Sequence, residues 1–396
     1  MVTVEEAKKR ITENAVALPT ALKAVPESLG YVLAKDVLAT LSLPSFRQSS
    51  MDGYAVLHTD IYNDNVILPI VAESKAGGTS KLSLKPGTAI RIFTGAPVPA
   101  GATAVIMQER TSVENGNVII KECPVAENLN VRNIGQQIRE GDIALAAGTY
   151  LSAGAVGFLT GLNVQEVEVY RKPKIGILVT GDELVKTGEE LGDGQVYESN
   201  SAMLVAALTK EGIHHVEILY SEDDLASTIS SLELLATRND VIIATGGVSV
   251  GDYDYVGKAL ETIGAETIFY KIRQKPGKPL LFAKTPGNHF YALPGNPASS
   301  LVCFYEYVLP ALRLMSGRKD PSLFSFKLPI SHAYSFNGER DEFLKASVYN
   351  AQVTSLEGQE SFALRSFAVA NALIYLPVTQ QNVYAGDLVE VHLLPL

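Results

Sequence analysis

Acids, lysines and glycine pairs recur in this 396-residue chain where apolar runs end. Val241-Ile242-Ile243-Ala244 passes into Thr245-Gly246-Gly247-Val248-Ser249, with Asp252 and Asp254 just beyond. An unbroken apolar run of this kind predicts a strand buried on both faces. Glycines at its carboxyl end let bare backbone N–H groups approach an anion, and the following aspartates could hold a metal ion bridging to it. A plain glycine turn flanked by solvated acids is the competing reading.

Four other loops carry comparable residues. Thr180-Gly181-Asp182-Glu183 ends the run at Ile175, and Asp223-Asp224 follows Ile218-Leu219-Tyr220. These two aspartates read first as helix N-caps. In Lys275-Pro276-Gly277-Lys278-Pro279, prolines hold two lysines in a rigid loop that concentrates positive charge. Leu293-Pro294-Gly295-Asn296-Pro297 opens a helix with proline in its first turn, so free N–H groups can face an anion. Earlier in the chain, Asp52-Gly53 reads as a hairpin turn or a functional acid, and Thr94-Gly95 as a shaped loop or a binding element.

The elements that must position these residues are legible from periodicity. From Lys174 onward a βα rhythm predicts strands at KIGILVT, IHHVEIL and DVIIAT. Helices are expected near 201–210, 224–238 and 255–263, with a long one after Pro297, kinked at Pro310 and ending at Gly317. Strand alternation in IHHVEIL would place His214 and His215 on opposite faces, in packing or surface roles. Val4, Ala7, Ile11, Ala15 and Leu18 mark one face of an amino-terminal helix. Ser152 caps a helix ending at Gly161, and Glu114-Asn115-Gly116-Asn117 forms a hairpin turn.

The expected fold is multidomain α/β plus β, with a central α/β domain on a mainly parallel sheet, β-rich amino-terminal domains and a small carboxy-terminal β-barrel. Residues 1–172 form a linker and β-rich region in two lobes, with an inserted lobe at roughly 42–140. The α/β domain takes 173–320 and the last β domain 321–396.

A net charge of -10 leaves no basic surplus to replace counterions, which argues against nucleic acid and an anionic membrane as partners. The uncharged stretch 143–165 is too rich in glycine and hydroxyls to span a bilayer. Cys123 and Cys303 lack metal-type spacing, and the amino terminus lacks a signal-peptide core, so a cytoplasmic protein is expected.

Taken in order, SMDGYAV at 50–56, TGAPVPAGA at 94–102, TGDEL at 180–184, SNSAML at 199–204, TGGVSVGDYD at 245–254, KPGKP at 275–279 and LPGNPAS at 293–299 resemble the molybdopterin molybdenumtransferase family. This is the MoeA type that includes the carboxy-terminal domain of gephyrin. The resemblance implies an elongated homodimer of four-domain subunits whose α/β domain binds molybdopterin. It also implies insertion of molybdate into adenylated molybdopterin with release of AMP, aided by Mg2+. Transient contacts with molybdopterin adenylyltransferase and with molybdoenzyme apoproteins accompany that role.

Carried over residue by residue, the resemblance makes Asp52, Glu183, Asp223 and Asp254 the catalytic acids, with Asp223 and Asp254 on the metal. Thr94, Gly246, Gly247, Ser249, Lys275, Lys278, Pro279, Asn296, Ser299, Arg340 and Ser366 become substrate-binding residues. Arg340 and Ser366 match molybdate contacts, where charge-assisted hydrogen bonds to oxo groups are apt. The family usually shows Gly-Glu-Asp where this chain reads Gly135-Gln136-Gln137, so two acids stand here as neutral amides.

Two other functions fit some of the same residues. A molybdopterin adenylyltransferase shares the α/β domain, but its loop usually reads TGGTG where this chain has Thr245-Gly246-Gly247-Val248-Ser249. A gephyrin-like scaffold would tolerate the Gln136-Gln137 change, while the absence of a linker or extra domain argues against it.

Overall fold

Ile175–Thr180 and Val241–Thr245 are buried along their whole lengths and lie side by side in parallel register. Around them, a computed structural model of the chain describes residues 1–78, 81–247, 255–336, 338–380 and 382–395. The chain divides into two compact units, one of Met1–Ala21, Gly30–Ala34 and Glu168–Leu396, the other of Leu22–Leu29 and Lys35–Val167.

In the first unit, six strands lie in the order Val216–Ser221, Ile175–Thr180, Val241–Thr245, His289–Leu293, Leu281–Lys284, Glu266–Tyr270. The first four pair in parallel and the last two pairings are antiparallel. Alternation along the central strands feeds two cores. Ile175, Ile177, Val179, Val241 and Ile243 pack with Leu204, Leu208 and the 297–315 helical segment, while Leu178, Ile242 and Ala244 pack with Leu232, Leu235 and Leu260. Each such side chain contributes about 1.5–3 kcal/mol when fully buried, which is why both faces of this sheet are apolar.

The helices follow their sequence signals with informative exceptions. Asp224 does cap Leu225–Ala236, its carboxylate accepting from Ser227 N–H at 2.9 Å. Asp223 does not share that work. His214 and His215 lie before the strand, which begins at Val216, so both are exposed rather than alternating across a sheet. Helix Val4–Asn14 buries Val4, Ala7 and Ile11, but the chain turns extended at Ala15, so Ala15 and Leu18 pack from beyond its end. The long helix runs as Pro297–Cys303, a π-helical Phe304–Val308, and Leu309–Met315. The wide π turn takes up the missing N–H of Pro310 that a simple kink was expected to absorb.

The carboxy-terminal strands close on themselves. Gln274–Lys275, Asp341–Tyr349, Ala372–Leu376, Leu388–Leu393 and Ser325–Pro329 are neighbours in that order, with Gln352–Ser355 paired to Asp341–Tyr349. A bridge from Ile330 to Val353 joins the two ends around a core of Leu344, Ile374, Val389 and Val391. A barrel follows.

The second unit holds a sheet of Ala104–Met107, Gly53–Val56, Ala89–Ile92, Val66–Ser74, Asn117–Ile120 and Thr111–Glu114. Asn115 and Gly116, at φ 48° and 79°, form the predicted hairpin turn between the last two strands. Ser152 caps Ala153–Gly161 as expected. Among the described residues, no helix is long and apolar enough to cross a membrane.

Candidate functional site

The strand order of the α/β sheet reverses beside Ile175–Thr180, because the chain goes to Val216–Ser221 on one side and then to Val241–Thr245 on the other. A crevice must open beyond the carboxyl ends of the two central strands. A cavity of about 560 Å³ lies there, lined by Thr180, Glu183, Thr245, Gly246, Pro279 and Asn296, among others.

The backbone at this crevice requires glycine. Gly246 and Gly247 have φ of 86° and 63°. A Cβ on Gly246 would stand 2.5 Å from the Thr180 carbonyl oxygen, and one on Gly247 would stand 2.8 Å from a Val256 methyl. Main chain therefore comes as close to its neighbour as bare backbone can. Two helix starts, at Asn200 and Pro297, reach the same cavity, bringing the positive ends of two helices to it.

The cavity is also lined by polar side chains whose atoms make no hydrogen bond among the described residues. Thr180 Oγ1, Thr245 Oγ1 and Asn200 Oδ1 are buried and lack a hydrogen-bond partner among the described residues. Polar atoms of this kind cost about 1–3 kcal/mol each if left unpaired, so these three are available to a polar ligand entering the cavity.

Acids gather at the edge of the crevice. Burial, followed by the neighbouring charges of Asp182, Glu183 and Asp224, pushes the Asp223 carboxyl above its ordinary range. Repulsion of this sort is what a divalent cation relieves. Among the described residues, no group of three or more His, Cys, Asp or Glu side chains is poised to hold a metal. Asp254, the second expected ligand, lies outside the described residues, as does Ser249.

The two lysines of the 275–279 loop part company. Lys275 reaches Glu342 at 3.1 Å, a carboxylate that also accepts from Tyr334 at 2.8 Å. Lys278 lines a second cavity, of about 870 Å³, with Arg273 and Arg340. Three cations and one acid, Glu339, line this space, so it carries a net positive charge within the acidic chain. Arg340 thus lines the same cavity as Lys278. Ser299 is buried behind the wall of the first cavity, its N–H donating to the Ser361 carbonyl at 3.2 Å. Ser366 is buried too, and its hydroxyl donates to the carbonyls of Gly358 and Ala363 at 2.8 and 3.2 Å rather than facing either cavity.

In the second unit, Asp52 is no hairpin turn. Its carboxylate accepts from the N–H and hydroxyl of Thr94 at 2.7 and 2.8 Å, and these bonds hold its pKa below the ordinary value. The two expected site residues are therefore one unit. Gly53, beside Asp52, starts a central strand so close to its neighbour that a Cβ would fall 1.8 Å from the Ile106 carbonyl oxygen. Gln136 and Gln137 line a separate cavity with Arg132, Gln48 and Phe46.

Sequence reasoning did not single out the hydroxyls of Thr180 and Thr245, the cavity-lining Arg273, or Phe362 on the rim of the first cavity. The threonines sit inside recognisable motifs, and Arg273 lies two residues before Lys275. Phe362 carries no signal at all.

Crevice, glycine cradle and paired helix starts together describe a binder of phosphate-bearing ligands on an α/β sheet. Family models match in chain order: the MoeA N-terminal region (domain I and II) over residues 2–162, a probable molybdopterin binding domain over 176–314, and the MoeA C-terminal region (domain IV) over 327–394. The chain belongs to the MoeA family of molybdopterin molybdenumtransferases. A molybdopterin molybdenumtransferase of Haemophilus influenzae is 33% identical over 99% of this chain and 98% of its own length. One from Nostoc sp. is 35% identical over 93% of this chain and 87% of its own. The molybdopterin biosynthesis moeA protein of Pyrococcus horikoshii OT3 superposes with a TM-score of 0.85 at 27% identity, covering both chains completely.

Proposed function

We propose that this protein inserts molybdate into adenylated molybdopterin, cleaving the diphosphate link so that AMP leaves and molybdenum cofactor remains. The observation that carries the reading is the strand-end cavity, where Gly246, two helix starts and three orphaned polar atoms surround a space suited to phosphate groups. The Arg273, Lys278 and Arg340 cavity supplies the cationic field for the molybdate dianion. Within the family reading, Asp52 and Glu183 take part in acid/base work on oxo ligands, with Asp52, kept ionised by Thr94, accepting protons there.

Mg2+ is the cation we assign to Asp223, whose pKa is raised first by burial and then by neighbouring negative charge, which such an ion offsets. Bound there, it would neutralise phosphate charge during cleavage. Asp254 is its second ligand in this proposal. We take the active form to be a cytoplasmic homodimer that meets molybdopterin adenylyltransferase and molybdoenzyme apoproteins transiently.

Relatives that match from end to end favour insertion over the adenylylation step, since the resemblance extends through both flanking regions and not only the α/β domain. The test is AMP release from adenylated molybdopterin by purified protein with Mg2+, with and without molybdate. Release only with molybdate supports insertion. Product formation from MgATP and unmodified molybdopterin would instead favour adenylylation, and absence of any molybdate response beside a working control would favour a scaffold.

A further inference from the structure

Phe362 stands on the rim of the strand-end cavity at the end of a loop that has no regular secondary structure from 356 to 363. Something must fix that loop, and the structure shows what does. Lys345, in the strand Asp341–Tyr349, is only 2% exposed. Its ammonium donates to the carbonyl oxygens of Gly358, Glu360 and Ala363 at 2.6, 3.1 and 3.0 Å.

Ser366 donates to two of the same three carbonyls, and the Gln359 amide bonds both the N–H and the carbonyl of Lys345, at 3.0 and 2.9 Å. The loop is thus wrapped around one buried cation. Its far side then docks on the helix start at the cavity. Ser361 accepts at its hydroxyl from the Asn296 amide at 2.9 Å and at its carbonyl from Ser299 N–H at 3.2 Å.

Three carbonyl dipoles pointing into one space repel each other unless a cation sits between them, and without it the Glu360 carbonyl would lose the ammonium while those of Gly358 and Ala363 would keep only the Ser366 hydroxyl. A buried ammonium is equally costly without such acceptors. We propose that Lys345 is a positioning residue for the strand-end cavity: its ammonium gathers the 358–363 carbonyls and thereby sets Ser361 and Phe362 against Asn296 on the cavity wall. Taking that wall as part of the nucleotide-substrate site rests on the function proposed above.

The chain contains no tryptophan, so Phe362→Trp places a lone indole reporter on the rim. In that background we expect Lys345→Met to lower the fluorescence anisotropy of the reporter and shift its emission to the red, with far-UV circular dichroism unchanged. In the otherwise native chain, Lys345→Met should raise KM for adenylated molybdopterin about tenfold while kcat changes less than about twofold, the mark of lost binding geometry and not lost chemistry. A folded Lys345→Met protein in which the indole signal does not move would overturn the proposal. If the reporter moves and KM does not, the loop is positioned by Lys345 but the cavity is not the substrate site, and the functional reading falls instead. Should Lys345→Met fail to fold, Ser361→Ala, which cuts only the latch to Asn296, must move the indole signal in the same direction by a smaller amount; an unchanged signal there counts equally against the proposal.

Discussion

Asp52 and Asp223 show how environment sorts like residues. Thr94 gives Asp52 two hydrogen bonds that favour its charged form, while burial and acidic neighbours press Asp223 toward neutrality. Asp52 should titrate below an ordinary aspartate in NMR, and Thr94→Ala should return it toward that value; an unmoved titration would mean that the bonds do not persist in solution. For Asp223 the sign is reversed. An acid whose folded pKa is raised stabilises the protein relative to the unfolded chain only at low pH, and that contribution is lost as pH rises through the unfolded and then the folded value. Asp223→Asn should therefore raise Tm at neutral pH and flatten its dependence on acid, while abolishing any rise in Tm on adding Mg2+. A Tm that still climbs with Mg2+ in that variant places the ion elsewhere. At this scale the sequence was most informative where a residue's type is forced. Gly246 and Gly247 stand out in sequence because only glycine fits, whereas the burial of Ser366 depends on a loop wrapped around Lys345, which no local pattern foretells.

The π-helical segment Phe304–Val308 carries a buried acid, Glu306, into contact with two other elements. Lys8 from the amino-terminal helix lies 2.6 Å from it and His392 from the barrel 2.7 Å, with Glu390 on the other ring nitrogen of His392 at 3.0 Å and Tyr375 stacked on the imidazole. Burial alone would lower the His392 pKa, but Glu306 and Glu390 outweigh burial and Lys8 and raise it to about 8. A histidine with a raised pKa lends stability that is whole below its unfolded value near 6.5 and disappears as pH passes about 8. Stability should accordingly decline between these values by chemical denaturation, and His392→Gln should remove that slope. A slope that survives the substitution would assign it to other groups. None of this network is legible in the sequence, since Lys8 lies 298 residues and His392 86 residues from Glu306, and Glu306 sits in a helix whose apolar periodicity draws attention to its neighbours. What periodicity did reveal was the alternating core of the central strands, because burial on both faces leaves an unbroken apolar run. It misplaced His214 and His215, which lie before a strand whose start no local residue marks.

Over the whole chain, the βα rhythm and the turn signals were enough to foresee a mainly parallel sheet beside β-rich regions and a closing barrel. Propensity could not foresee that Gln274–Lys275 would leave the α/β region to join the barrel sheet, and this departure is what separates Lys275 from Lys278. It also brings Arg273 and Lys278 beside Arg340, so this cationic cavity depends on a long-range strand pairing. An acidic protein with the proposed function, handling two anionic reactants, must assemble its positive field in this way. The most direct measurement is a crystal structure with AMP at saturating concentration. The account predicts the phosphate in the strand-end cavity, within hydrogen-bonding distance of Gly246 N–H and the Thr180 and Thr245 hydroxyls. A nucleotide ordered anywhere else, with those hydroxyls still unpaired, would contradict it.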